Sequence, residues 1–197
     1  WNPLPDRPLL STAVTEALPF WGRCWVVDPA WHAALCENPR LRFMEFFAKN
    51  AAIRRSTADL VLTTNSDVFL STALVERLAE APLLDEHVYR AVRHDVDRAV
   101  DWRHGGEAAL ADPRNHVRVN ALSAPDYGNA SGDFLMLTRS TYRRLRGFNE
   151  TVRYAKIHKD GQFCHRAWIE GLPLVSLGPI WHLDHDGSYS NVGTLRG

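Results

Sequence analysis

D-L-V-L-T-T-N-S-D-V-F-L-S, running from Asp59 to Ser71, is the stretch whose reading decides the fold. Leu60, Val61 and Leu62 make a short unbroken apolar run, the pattern of a strand covered on both faces. The run stops at Thr63, and small polar residues lead on to Asp67. Ser71 and Thr72 stand where they would cap a helix carrying Leu74, Val75, Leu78 and Ala79. A buried strand that delivers a carboxylate at its carboxyl end, just ahead of a helix, is where open α/β sheets place ligand chemistry. A turn whose Asn and Asp only cap backbone groups is the other reading of the same residues.

Working outward, Phe43, Phe46, Phe47 and Ala51 fall on one stripe at the helical period, predicting a helix over 43–55 with Asn50 on the face away from the phenylalanines. Before it come a helix over Ser11–Leu18, a strand over Cys24–Val27 and a short helix or turn over Trp31–Cys36. After it the pattern predicts a helix over Ser71–Ala81, stopped by Pro82, and a strand over His87–Arg93. Further on are a strand over Asp133–Leu137, a helix over Ser140–Arg146 closed by Gly147 and a helix over Lys159–Glu170 closed by Gly171. A last strand covers Leu172–Leu177, Pro179–Trp181 leads out of it, and a polar tail containing Gly187 ends the chain. Residues 95–130 have little periodicity, hold Gly105-Gly106, Pro113, Pro125 and Gly128, and read as a functional loop region. Strands alternating with helices give an α/β fold with a mostly parallel sheet, in one domain.

The bulk properties are those of a globular chain. Its 197 residues suffice for one well-buried domain, and 45% hydrophobic with 23% charged content is ordinary. Formal charge balances at +0, so no global field draws the chain to nucleic acid or anionic lipid. Lys49, Lys156 and Lys159 are the only lysines among 23 cations. Arginine suits phosphate and carboxylate recognition, but genomic base composition explains the imbalance more simply. Cys24, Cys36 and Cys164 are odd in number and widely spaced, which argues against a disulfide framework or zinc knuckle and favours a reducing, cytoplasmic compartment. No run approaches the roughly 18 apolar residues of a membrane span, and no signal peptide is visible.

Four clusters at strand exits or helix starts carry the residues able to do chemistry: Asn65-Ser66-Asp67, Asn129 to Asp133, His158-Lys159-Asp160, and His182 to Asp186. In a parallel sheet strand ends converge on one edge, so the first and last are expected to meet there. Asp67 with His182 or His185 supplies a carboxylate oxygen and an imidazole, which with waters and diphosphate oxygens suits Mn²⁺ or Mg²⁺ rather than a closed structural zinc site. The bland alternative is a surface tail with ordinary histidines. Asp160 sits where helix N-terminal amides favour its charge and is the candidate general base, with His158 in reserve; a purely capping carboxylate is the alternative. Asn50 could bond a ligand or be solvated. Arg90, Arg93, His94 and Asp95 could bind an acceptor or phosphate, with a surface salt-bridge group as the plainer reading. The tryptophans Trp1, Trp25, Trp31, Trp102, Trp168 and Trp181 fit core or interface better than sugar stacking.

In order along the chain, these pieces resemble a glycosyltransferase of the GT-A fold, most similar to family 2. F-A-K-N-A-A-I-R-R-S-T-A-D-L-V-L-T-T-N-S-D (Phe47–Asp67) resembles the family's passage from A-R-N-x-G-I to D-x-D. G-D-F-L-M-L-T-R-S-T-Y-R-R-L-R-G-F-N-E (Gly132–Glu150) is similar to its strand, helix and G-G-F-D-E turn. K-D-G-Q-F-C-H-R-A-W-I-E-G-L (Lys159–Leu172) looks like its E-D-x-D helix. The resemblance spans roughly residues 43–185. It implies a nucleotide-diphosphosugar donor (a UDP-sugar first), a divalent metal (Mn²⁺ or Mg²⁺) and transfer to a hydroxyl of a glycan or small-molecule acceptor. Asp67 matches the metal-binding second aspartate of D-x-D, and Asn65 stands in place of the first. An amide can hydrogen-bond a ribose hydroxyl but binds metal weakly. Asn50 matches a donor-contacting Asn and Lys49 the basic residue before it. Asp160 matches the catalytic base of inverting members, with Lys159 replacing the usual acid before it. His182 is matched to a late metal-binding histidine, with His185 second. Trp1-Asn2-Pro3 resembles the end of the family's second strand, which implies a sheet lacking its first strands. Two rival classes remain: a GT-A-like domain that binds nucleotide or glycan without turnover, and a metal-dependent phosphohydrolase using Asp67, His182 and His185.

Overall fold

The computed structural model describes residues 9, 11–12, 23–80, 85–125, 128–155 and 158–185. Among them the helices are α1 (Pro29–Leu35), α2 (Glu45–Arg55), α3 (Thr72–Glu80), α4 (Trp102–Ala111), α5 (Arg139–Arg144) and α6 (Lys159–Ile169). The strands are β1 (Leu60–Thr64), β2 (Val68–Leu70), β3 (Val88–Val96), β4 (His116–Asn120), β5 (Phe134–Thr138) and β6 (Leu174–Leu183), with a 3₁₀ turn at Pro113–Asn115. They form an α/β fold with helices flanking one mixed, six-stranded sheet.

Strand order is β1-β5-β3-β6-β2, with β4 also paired to β3. Among the described strands only β3 and β6 run parallel; β1–β5, β3–β5, β3–β4 and β2–β6 are antiparallel. The expected mostly parallel sheet is thus corrected. Strand–helix alternation implies parallel neighbours only when successive strands lie side by side joined by a crossover. Here β1 is bonded instead to β5, which arrives much later in the chain and runs the other way.

The core follows from the run F-L-M-L of β5. Leu135 and Leu137 face a cluster with Phe46, Ile53, Tyr142, Phe148 and Phe163, contributed by α2, α5, α6 and their loops. Phe134 and Met136 face the other way, onto Leu74 of α3 and Ile180 of β6. A strand packed on both faces reads as continuous apolar sequence, and β5 is one. β1 is not, contrary to expectation. Val61 packs in the first cluster and Leu62 only partly in the second, while Leu60 and Thr64 are exposed, because among the described strands β1 is paired with β5 alone.

The α3 helix begins as read: Ser71 Oγ accepts the Leu74 N–H at 3.0 Å. Two readings shift. Phe43 precedes α2 and is exposed, and Asn50 lies on the buried face with Phe46, Phe47 and Ile53, not opposite the phenylalanines. Residues 95–130 are not simply loop, because they hold α4 and β4. The α4 helix is kinked at Gly106 (φ 58°), a backbone conformation that hides its period from the sequence. Cys24–Val27 forms no strand and is largely exposed. The Ser11–Leu18 helix falls almost wholly outside the described residues, as do Trp1 and the Gly187 tail. No described helix is long and apolar enough to cross a membrane.

The strand β6 matters most for the site. It runs past Leu177 to Leu183, so Pro179–Trp181 and His182 belong to a strand rather than a tail. Gly178 (φ 141°) absorbs a slip in register against β3, from Arg90↔Ser176 to Val92↔Pro179, which is a β-bulge. Beyond it the pairing holds through Asp95↔His182.

Candidate metal centre

β2 pairs antiparallel with β6 in the register Val68↔His182. Asp67, the residue before β2, therefore lies beside the end of β6, where the Leu183 N–H donates to its carbonyl at 3.4 Å. The first and last polar clusters do meet. Antiparallel pairing of a short strand that the sequence did not reveal brings them together, not convergence of parallel strand ends.

Asp67 Oδ2 lies 3.3 Å from His182 Nε2 and 3.1 Å from His185 Nε2, although Asp67 and His185 are 118 positions apart in the sequence. One ligand atom from each of the three residues falls within 4.8 Å of the others. His182 is buried and His185 exposed, so the group sits at the protein–solvent boundary. Asp67 Oδ1 is shut off from solvent and has no hydrogen-bond partner among the described residues. A buried carboxylate oxygen left without a donor is costly, and a cation would satisfy it. The donor set and this orphaned atom together fit a divalent ion.

Behind His182 lies Asp95, fully buried, whose Oδ1 is 2.9 Å from His182 Nδ1. Burial works against charge on the ring, but the hydrogen bonds to Asp67 and Asp95 outweigh it and raise His182 from 6.5 to about 9. The His182 hydrogen bond in turn holds the Asp67 carboxyl well below the usual carboxylate range. In the metal-free chain the raised group stabilises the fold fully below 6.5 and loses that contribution as pH rises through about 9. A metal ion requires the neutral ring, so cation and proton compete. Mn²⁺ affinity measured by calorimetry should therefore rise about tenfold per pH unit from neutrality toward the His182 titration, with one proton released per ion. An affinity flat with pH would remove His182 from the ligand set.

The other expected site residues form a chain of bonds leading away from this centre. Arg93 Nη1 pairs with Asp133 Oδ2 at 2.5 Å and its Nε with Asp95 Oδ1 at 3.0 Å. Asp133 Oδ1 accepts from Asn65 Nδ2 at 2.7 Å. Lys49 Nζ donates to Asn65 Oδ1 at 2.7 Å, to Glu45 Oε1 at 2.6 Å and to the Gly132 carbonyl at 2.7 Å. The Gly132 N–H donates to Asp160 Oδ2 at 2.7 Å. Asn65 is thus explained locally, since an aspartate there would set a second carboxylate against Asp133. Asp160 does lie at a helix start, in the first turn of α6. His158 instead lines an open cleft of about 440 Å³ with Gln162, His165 and Asn129.

Asn50 stands apart from this chain of bonds. Its side chain is buried; Nδ2 donates to the Phe148 carbonyl at 2.9 Å and to Glu150 Oε1 at 2.7 Å, and Oδ1 accepts from the Phe148 N–H and the Tyr142 hydroxyl. With every position of the amide used, it fastens α2 to the turn after α5, where Gly147 has no room for a Cβ beside Asn50 Oδ1. Lys49 and Asn65 are likewise engaged within the protein.

Read from sequence, Arg93 and Asp95 belong to a polar strand end that binds an acceptor or phosphate or forms a surface salt-bridge group, and nothing in that reading sets them beside the candidate metal ligands. Arg90, Arg93 and Asp95 are buried, and Arg90 donates to the carbonyls of Asn129, Ser131 and Phe134. Residues 90, 93 and 95 do not share one strict strand alternation, so periodicity carried no signal. Among the tryptophans, Trp181 is buried and Trp25, Trp31 and Trp168 are exposed. No protein-family model and no curated protein matches this chain.

Proposed function

We propose that the chain is a metal-dependent glycosyltransferase domain of the GT-A type, which moves a sugar from a nucleotide-diphosphosugar to an acceptor hydroxyl with inversion. The observation that carries this reading is the meeting of Asp67, His182 and His185, which the resemblance assigned to a metal. Two imidazoles with one carboxylate favour Mn²⁺ over Mg²⁺, and zinc or iron(II) would be competitors. When bound, the ion would offset charge on the leaving diphosphate.

The chain's own residues have separate tasks. Asp67, His182 and His185 hold the cation at the solvent boundary. Asp160, its carboxylate oriented by the Gly132 N–H, would take the acceptor's proton as general base. Lys49 and Asn65 tie Gly132 to the loop that carries Asp67, so both functions share one framework.

A second reading is a GT-A-like domain that binds without turnover. The internal commitment of Lys49, Asn50 and Asn65 favours it, since each would have to give up an existing bond to touch a donor. Calorimetry with UDP, with and without Mn²⁺, followed by UDP release from a UDP-sugar, separates the readings. A transferase binds UDP in the presence of Mn²⁺ and releases it from the UDP-sugar, slowly to water and faster to an acceptor. A binding module retains the first property and lacks the second. Activity on simple phosphate esters without any need for a nucleotide would indicate the hydrolase, and absence of UDP binding with Mn²⁺ would end the transferase assignment.

A further inference from the structure

We infer that Asp95 is the positioning residue of the metal centre: its carboxylate grips the Nδ1 side of His182 and so turns Nε2 toward Asp67. This role rests on the metal-site reading for its purpose, while its geometry belongs to the chain alone. Asp95 and His182 face each other in register on β3 and β6, the parallel pair of the sheet. The Asp95 side chain is wholly buried and held from several directions. Oδ1 meets His182 Nδ1 at 2.9 Å and Arg93 Nε at 3.0 Å, while Oδ2 accepts from Asn120 Nδ2 at 2.7 Å and from Arg93 Nη2 at 3.4 Å.

A carboxylate held this way cannot rotate, and neither can the ring it grips. Arg93 is the counter-ion that makes its burial tolerable. Arg93 is itself braced by Asp133, and Asp133 by Asn65. An imidazole that ligates a metal through one nitrogen and gives its other N–H to a carboxylate is fixed in both tautomer and direction. Asp95 supplies that carboxylate from the dry side of the sheet, and His185, out in solvent, is left to complete the open side.

The test uses the full chain, Mn²⁺ alone as the probe, and two substitutions. Asp95→Asn keeps the shape but allows its amide to donate toward Nδ1 and reverse the tautomer. Asn120→Ala, on the partly exposed strand β4, loosens Asp95 without removing it. Asp95→Asn should lower Mn²⁺ affinity roughly 10- to 100-fold, and Asn120→Ala several-fold. Proton NMR of the wild type should show a slowly exchanging His182 Nδ1 proton that exchanges faster in both variants, in the same order. A merely structural Asp95 would lower the melting temperature and leave that proton and the affinity of the folded chain as they were. Wild-type affinity together with an unmoved ring proton in Asp95→Asn overturns the inference, and the same result in Asn120→Ala does so if Asp95→Asn does not fold. If the wild type binds no Mn²⁺, the metal reading falls, and the ring proton alone decides whether Asp95 positions His182.

Discussion

On the transferase reading, Asp67→Ala is expected to lose Mn²⁺ binding and to slow nucleotide-sugar turnover by roughly a thousandfold or more, about 4 kcal/mol of transition-state stabilisation. The reason is charge as much as geometry. Asp67 is the one carboxylate among the three candidate ligands, and its Oδ2 stands against both Nε2 atoms. Without it two imidazoles remain, with no anion to hold a hard cation at the solvent boundary. The fold should survive, because Asp67 is about a third exposed and Asp95 still holds the buried His182 ring from its other side. Electron paramagnetic resonance of Mn²⁺ reports the binding, and release of UDP reports the turnover. A variant within tenfold of wild type in both would remove the centre from the chemistry.

Asp160→Asn is expected to behave differently. Turnover should fall about 10²- to 10⁴-fold, the range for loss of a general base, while Mn²⁺ and UDP bind as before. An asparagine oxygen can still accept the Gly132 N–H, so the helix start and the loop keep their arrangement. What is lost is the ability to take a proton. A pH–rate profile that loses its acidic limb in the variant would identify Asp160 as the base. A drop in donor affinity with unchanged maximal rate would make it a binding residue and leave the base to be found elsewhere.

The legible parts of this molecule were those whose signal is local. The α2 period, the Ser71 cap, the Gly147 and Gly171 stops and the apolar run of β5 each declare themselves within a few residues. Sheet direction does not, because it depends on which distant strand a segment meets, and β1 met β5. The three residues of β2 are too few to show alternation, yet they bring Asp67 to β6. His182 reads from sequence as a tail residue and is a strand residue, because Gly178 and Pro179 look like a chain exit when they form a bulge. Asn50 misled for a related reason. A polar residue in an amphipathic helix is read as outward-facing, whereas this one is buried by satisfying every group it touches.

The ladder holding β2 consists of three residue pairs at one margin of the sheet, while β3 and β6 are matched along most of their length. Free energies of local opening track how many such contacts must break at once, so this margin frays long before the interior does. Asp67 is anchored to the fraying side and His182 to the durable one. An ion bridging them would act as a rivet across a seam, spending part of its affinity on keeping the margin shut, and the carboxylate would dwell in position for only as long as that seam stays closed.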